Sequence, residues 1–360
     1  MKTIKSKALK TTFDHQSLID WFKANRRKLP WRGEKLDPYA VWVSEVMLQQ
    51  TQVSVVIPYF KRWMENFPSV TALAKAPLDE VIKCWEGLGY YSRARNLHAG
   101  AQFITKHYHG CLPTEAEELL KIKGLGPYTV GAICSFAYHQ KIPAVDGNVI
   151  RVLCRVFNLH EDIGQSKTVK QLNHLAASIL PTDEHWLLNE GLIELGALIC
   201  TKRPQCEKCP IRSSCKAFEN STQELLPVKK KKTQYEQLFR GVAIIRYQNQ
   251  LLIKRGQAGE IMSDLHEFPY MDSSAPEISF QSLQNHFRDL FDLELHFEKE
   301  LHLVKHSFTR FRAQLHPFAF QVNRLKTIQG YEWKTPEEIR SLAFSSGHRR
   351  VLKQLKGFLS

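Results

Sequence analysis

Two carboxylates stand in settings that could do chemistry. Glu45 lies in Trp42-Val43-Ser44-Glu45-Val46-Met47-Leu48-Gln49-Gln50-Thr51-Gln52-Val53 and, at helical spacing, shares a face with Val41, Trp42 and Leu48. Desolvation on an apolar face raises a carboxyl pKa and favours the neutral acid. Asp146, in Val145-Asp146-Gly147-Asn148-Val149, stands just before a helix start, where the anion is favoured. A lone Glu at the rim of an apolar face ordinarily reaches out to water, and an Asp in that place is ordinarily a plain N-cap. Together they form a pair pushed in opposite directions, which is how two carboxylates divide acid and stabiliser roles. Cleaving a glycosidic bond asks for that division: a proton for the leaving group and a negative charge beside an oxocarbenium-like cation.

Four thiols are the second feature. Cys84, Cys111, Cys134 and Cys154 stand singly, whereas Cys200, Cys206, Cys209 and Cys215 crowd into sixteen positions with five, two and five residues between them. The N-terminus, MKTIKSKALKTTFDHQ, is basic but lacks an apolar h-region, so secretion is not expected. In a non-secreted chain the crowding reads as a metal site rather than disulfides. Four thiolates suit either a [4Fe–4S] cluster or a tetrahedral zinc ion, and spacing alone leaves both open.

The elements that must position these groups read as mostly helical over residues 1–215. Asp37-Pro38 is a helix start, a capping Asp with Pro at the first helical position. Thr114 with Glu117 reads as a capping box for a segment running to Ile122. Gly124-Leu125-Gly126-Pro127 then breaks the chain, and an apolar-periodic segment, Tyr128 to Tyr138, follows at once. The glycines allow a sharp turn and close approach to a ligand, and backbone N–H groups at the following helix start suit a phosphate. A further helix near Asn148 carries Val149, Val152, Leu153 and Val156 on one side. Residues 217–238, with the run Lys229 to Lys232, read as an exposed basic linker. From 239 to 360 the pattern predicts a small α+β domain. Residues 241–247 and 250–255 flank a Gln-Asn turn as a hairpin, Phe280 to Phe291 is helix-like, and Phe318 to Val322 is a strand.

The chain is long enough for two domains. Its 50 Lys+Arg against 36 Asp+Glu, a formal +14, favour a polyanionic partner, nucleic acid being the usual one. No apolar run is long enough to span a membrane. A cytoplasmic, nucleoid-associated monomer is expected.

In these motifs the chain resembles the MutY-type adenine DNA glycosylases of the helix-hairpin-helix, iron–sulfur superfamily. Dense matches run from Leu29-Pro30-Trp31-Arg32 to Cys215, including Val41 to Val53, Gly87 to Leu97, the Gly124 hairpin, the Asp146 motif and the cysteines. The resemblance implies a mainly α helix-hairpin-helix catalytic region over 1–216 with a cluster loop at 200–215, and a C-terminal α+β MutT-like domain. It implies that Glu45 protonates adenine on its imidazole ring and that Asp146 stabilises the sugar cation, with Tyr128 and Asn148 supporting that centre. Trp31, Arg32 and Glu190 would surround the extruded adenine. Gln50, Thr51, Leu88 and Tyr90 would enter the duplex, Gly124 and Gly126 would meet its phosphates, and Cys200, Cys206, Cys209 and Cys215 would hold a [4Fe–4S] cluster. The implied partner is double-stranded DNA carrying adenine opposite 8-oxoguanine or guanine.

The chain departs from that pattern at named places. Tyr128 stands where endonuclease III-like relatives place a lysine nucleophile, so base removal without strand cleavage is expected. The family's Phe-Ser-His contact for 8-oxoguanine is Phe308-Thr309-Arg310, and Thr309 keeps a hydroxyl. The usual Trp before Glu-Phe-Pro is His266, and the first cysteine spacing is five residues instead of six. No Nudix hydrolase box is present, so the second domain is expected to recognise rather than hydrolyse. Two other functions compete with this one. An endonuclease III-like glycosylase/lyase acting on oxidised pyrimidines would call for the lysine, and a non-catalytic iron–sulfur DNA-binding protein would not need both Glu45 and Asp146.

Overall fold

The computed structural model describes residues 13–33, 36–230, 235–257, 259 and 262–355. The basic segment 1–12 and Lys231 and Lys232 of the lysine run lie outside the described residues. By contact the chain forms two units. Residues 1–75 with 96–232 make one and 76–95 with 233–360 the other. The division is therefore not a single cut near 216, because segment 76–95 groups with the C-terminal sequence.

In the first unit the helix Pro38–Leu48 begins as its sequence predicts. Asp37 accepts from the Tyr39 N–H at 2.9 Å, and Pro38 takes the first turn. Every residue from Tyr39 to Met47 is buried, so this helix is packed on all sides rather than amphipathic. The hairpin turn follows the helix Ala116–Leu120. Gly124 has φ +90°, and a Cβ there would meet Asn96 Cβ at 2.6 Å, so glycine is required twice over. The expected capping box does not form. Glu115 takes the N-cap position without a side-chain bond, and the Thr114 carbonyl instead accepts from Gln140 Nε2 at 3.1 Å.

After the turn, the helix Pro127–Ala132 widens into a π-helical turn, Ile133–Ala137, where the sequence predicts one continuous helix. Gly131 lets it approach the next segment closely, since a Cβ there would lie 2.2 Å from the Pro143 carbonyl oxygen. Asn189 pins the same segment by donating to Ile142 O at 2.9 Å and Ser135 Oγ at 2.8 Å and accepting from Ala144 N at 3.3 Å. The chain that reaches Asp146 is thus fixed before the next helix, Gly147–Val156, begins. Val149, Val152 and Leu153 of that helix pack with Leu18, Leu188, Leu192 and Leu195 in one apolar cluster.

The expected linker 217–238 is partly built into this unit. The helix Lys216–Glu219 and the buried Leu226 pack on it, Arg155 Nε donates to Leu226 O at 3.1 Å, and Ile163 N donates to Val228 O at 3.0 Å. Burying Leu226 and meeting these donors outweighs the polar composition of the stretch.

The second unit is built on a mixed sheet of β1 (Glu236–Tyr247), β2 (Gln250–Arg255), β3 (His266–Glu267), β4 (Tyr270–Ser273), β5 (His296–Glu300), β6 (Val304–Phe308), β7 (Phe311–Gln321) and β8 (Glu332–Lys334). The order is β3-β2-β1-β7-β5, with β4 on β1, β6 on β7 and β8 on β2. The predicted β1–β2 hairpin is present, with Tyr247 opposite Gln250. β1 runs parallel to β7 along its length. Both faces of β1 are covered: Val242 and Ile244 pack toward Val351 and Leu352, Ala243 and Ile245 toward Leu283, Phe287 and Phe291 of the predicted helix Phe280–Phe291. That explains its continuous apolar run. Segment 76–95 joins this unit through polar contacts. Lys83 Nζ donates to Leu342 O at 2.7 Å, Glu86 Oε1 accepts from Phe344 N at 2.9 Å, and Arg255 pairs with Asp79 at 2.5 Å.

Candidate active site

A cleft of ≈ 1360 Å³ opens in the helical unit, and Glu45, Asp146, Tyr128, Asn148, Trp31, Arg32, Glu190, Gln50, Thr51, Gly124 and Gly126 all line it. Residues spread over more than 150 positions of sequence are thus brought to one place. Because the helix carrying Glu45 is buried all round, the carboxyl does not reach out to water; Glu45 is 7% exposed. Burial pushes its pKa up to about 7. The Tyr128 hydrogen bond and the Arg32 charge oppose the rise, and Asp146 and Glu190 add to it. Tyr128 donates its hydroxyl to Glu45 Oε2. Burial, then the charges of Glu45 and Asp146, hold the Tyr128 pKa well above its ordinary value, so it remains a neutral donor.

Asp146 is the N-cap of Gly147–Val156. Its Oδ1 accepts from Asn148 N at 2.9 Å and Val149 N at 2.8 Å, and its Oδ2 accepts from Asn148 Nδ2 at 2.8 Å. The expectation that its surroundings simply favour the anion is corrected here. Burial raises the Asp146 carboxyl too, against the hydrogen bonds from Val149 and Asn148 and the charge of Arg151. The two carboxylates are separated by how strongly burial is opposed at each.

Asn148 is itself held. Arg151 donates through Nη2 to Asn148 Oδ1 at 2.9 Å and Gly196 O at 2.7 Å, and through Nε to Cys200 O at 2.7 Å. That fixes the amide with its nitrogen toward Asp146. Gly196 permits the close packing, since a Cβ there would fall 2.6 Å from Asn148 Cβ. Gly196→Ala is therefore expected to destabilise the protein by roughly 1–3 kcal/mol through overpacking, and to slow base release by displacing Asn148. Urea melts and single-turnover assays check both; unchanged values in both would contradict the packing argument.

The far wall of the cleft is ionic. Arg32 Nε pairs with Glu190 Oε2 at 2.7 Å, and burial raises the Glu190 carboxyl with the Arg32 charge opposing. Trp31 packs edge-on against Phe60. At the mouth, exposed Gln50 adopts φ +58° and Thr51 Oγ1 donates to Gln49 O at 3.3 Å. Arg27, Glu194 and Arg151 were missed from sequence. The four-residue spacing of Glu190 and Glu194 on one helix was the available signal for the second.

Other expected contacts lie in the second unit. Leu88 is 7% exposed while Tyr90 is 48% exposed, so Tyr90 is the one presented to solvent. In its loop Gly87, Gly89 and Tyr90 have positive φ, and Arg93 donates to Leu88 O at 3.2 Å and Gly89 O at 3.0 Å. Phe308 stacks on His306 at 5.0 Å, and Thr309, exposed at φ +47°, turns β6 into β7. Arg310 pairs with Glu236 at 3.2 Å. His266 is buried, its ring against Phe344.

Cys200, Cys206, Cys209 and Cys215 line one small apolar pocket in the helical unit. Arg155 ties down its first loop, donating to Thr201 O at 2.6 Å, Lys202 O at 3.2 Å and Cys200 Sγ at 3.3 Å. Among the described residues no three His, Cys, Asp or Glu side chains converge as ligands of one metal ion. No described helix is long and apolar enough to cross a membrane.

This helical architecture with its carboxylate pair defines a base-excision repair protein of the helix-hairpin-helix class. The family described as HhH-GPD superfamily base excision DNA repair protein matches residues 43–178, and a NUDIX domain matches 241–354. An adenine DNA glycosylase of Buchnera aphidicola subsp. Schizaphis graminum is 32% identical over 87% of this chain and 89% of its own. The human adenine DNA glycosylase is 44% identical over 58% of this chain and 40% of its own. A solved thermostable thymine-DNA glycosylase superposes with TM-score 0.51 at 28% identity, covering 57% of this chain and 95% of that one. The chain belongs to the adenine DNA glycosylase family.

Proposed function

We propose that the chain binds double-stranded DNA, takes an adenine mispaired with 8-oxoguanine or guanine into the cleft, and hydrolyses its N-glycosidic bond. The observation that carries this is the pairing of a buried, protonatable Glu45 with Asp146 across one cleft. A base inside a duplex is out of reach of any buried acid, so it must be extruded. Glu45 then gives its proton to the base ring, and Tyr128, donating to Oε2, leaves Oε1 to carry that proton. Asp146 places negative charge beside the sugar as the bond breaks; water then adds to the sugar cation at its anomeric carbon and gives up a proton, which leaves free base, an abasic sugar and a carboxyl ready to be reprotonated. Glu190, Arg32 and Trp31 hold the base; Gln50, Thr51, Leu88 and Tyr90 fill the duplex it leaves; Gly124 and Gly126 offer backbone N–H groups to phosphates. Phe308 and Thr309, at an exposed hairpin tip, are assigned to the base opposite.

The four cysteines line one small apolar pocket, and the family resemblance assigns them a [4Fe–4S] cluster rather than zinc. A cubane bonds each thiolate to its own iron, so the ligands stand around a volume and need not converge on a point. When bound, it ties the segment 200–215 together. A brown, iron-absorbing preparation is expected, and stoichiometric zinc without iron would reverse the assignment.

Duplexes with adenine opposite 8-oxoguanine, guanine and thymine test the function. Release is expected from the first two, with little from the third and little strand nicking without heat or base, because Tyr128 offers no amine. Equal rates on all three would remove the recognition role of the second domain. Nicking as fast as release would point instead to a lyase.

A further inference from the structure

Beside the base cleft lies a carboxylate to which the proposed chemistry gives no part. Glu194 follows Glu190 by one turn of the helix His185–Leu198, with its side chain wholly out of solvent. Its Oε1 accepts from Arg27 N at 3.2 Å and Arg27 Nε at 2.6 Å; its Oε2 accepts from Arg27 Nη2 at 3.0 Å and Arg32 Nη2 at 3.2 Å. Arg32 also donates to Arg27 O at 3.3 Å and lies over the Phe22 ring at 5.4 Å. Its remaining reach is spent on Glu190. Such a network is weak evidence for stability as such, because desolvating the charges offsets their attraction. What it does fix is direction: every donor of the Arg32 fork that meets the wall has one partner in one place.

We propose that Glu194 is a positioning residue for base removal. By holding Arg27 and Arg32 it sets where Glu190 meets the base, and its charge balances two arginines beside a cleft that must accommodate a cation. The proposal rests on the reading of the cleft as the adenine pocket.

Burial works against ionisation of Glu194, but the Arg27 hydrogen bonds and the Arg32 and Arg27 charges hold its carboxyl below the usual range, so it is an anion. Foremost among the groups that bear on Glu190 are Arg32, Glu194 and Arg26, and among those that bear on Glu45 Tyr128, Asp146, Glu190 and Arg32. Removing the Glu194 charge leaves Arg32 less compensated, which favours the Glu45 anion, and Glu190 offsets part of that by ionising more fully. The net effect of one lost negative charge is to lower the pH at which Glu45 gives up its proton.

The test is single-turnover adenine release by the full chain against pH, with Kd for an uncleavable mispair duplex. Glu194→Gln is expected to slow release roughly tenfold or more and to move the alkaline limb down by roughly half a unit to one unit, with Kd changed less than about twofold. Glu194→Asp keeps the charge and should leave the limb in place while recovering part of the rate. Arg27→Gln should move the limb the other way, and the double variant Glu194→Gln/Arg27→Gln should return it, which keeps the charge argument testable if Glu194→Gln alone folds poorly. Equal rate loss in Glu194→Gln and Glu194→Asp with unmoved limbs would reduce Glu194 to a structural ion pair. A normal Glu45→Gln effect beside a wild-type rate and limb in Glu194→Gln would overturn this proposal alone. A Glu45→Gln variant as active as the wild type would overturn the reading of the cleft, and this proposal with it.

Discussion

Glu45→Gln is expected to lower single-turnover adenine release by on the order of 10²- to 10⁴-fold, the usual contribution of a positioned general acid, with duplex binding retained. Gln keeps the shape and still accepts from Tyr128, but it has no proton to give. The wild type should release base fastest below about pH 7, where Glu45 holds its proton, and lose rate roughly tenfold per unit above it. The variant should lack that alkaline limb. Stability should move oppositely. A carboxyl with an ordinary pKa near 4.5 unfolded and about 7 folded binds more protons in the folded state between those values. The protein therefore loses stability as pH rises through that window, and the loss approaches about 3 kcal/mol above it. Glu45→Gln removes the penalty, so the variant should melt higher than the wild type above neutral pH and about equally with it below pH 5. A variant that is slow and also less stable above neutrality would mean that Glu45 is a structural group.

How much of this was legible in the sequence varies residue by residue. Asp37-Pro38 and the Gly124 turn were readable because local rules suffice there: a cap, a fixed φ, a positive φ. Glu45 and Asp146 were readable as a pair, and both line one cleft, but their surroundings were not readable. Nothing in the stretch Trp42 to Val53 says that the Glu45 helix is buried on the side away from Trp42 as well. The spacing around Asp146 showed the cap and could not show how deeply it lies, which is why burial raises a carboxyl that the helix start alone would hold down. Thr114 and Glu117 fit the capping-box pattern, yet the helix takes Glu115 as its N-cap, and Gln140, 26 residues away, donates to the Thr114 carbonyl. Arg151 acts through Gly196 of the helix His185–Leu198, and Glu194, on that helix, through Arg27 and Arg32 from the N-terminal segment. Segment 76–95 grouped with the sheet unit through Lys83 and Glu86, contacts more than 250 positions distant. Long-range polar contacts leave no local pattern, and they decided each of these cases.

Asp146→Asn should separate catalysis from folding more cleanly than any other substitution here. Asn caps helices about as well as Asp, so its side-chain oxygen can still accept from Asn148 N and Val149 N, and the variant should stay folded. The second atom becomes an amide nitrogen facing Asn148 Nδ2, donor against donor, in a place where Arg151 prevents Asn148 from turning its oxygen round. More important, the charge is gone from beside the developing sugar cation. Losing one preorganised electrostatic partner in a water-poor site is worth about 10²–10³ in rate, and losing a full charge should exceed that. The same logic fixes the wild-type acid limb. Protonating Asp146 makes it neutral as Asn is, and because burial raises its carboxyl, that limb should lie above the ordinary aspartate range. Asp146→Asn should show no such limb in whatever rate remains. Asp146→Ala supplies the contrast, since it loses the cap as well and should cost about 1 kcal/mol of stability in addition. Wild-type adenine release by a stably folded Asp146→Asn would rule out Asp146 as the stabilising charge and leave Glu45 to act without a partner.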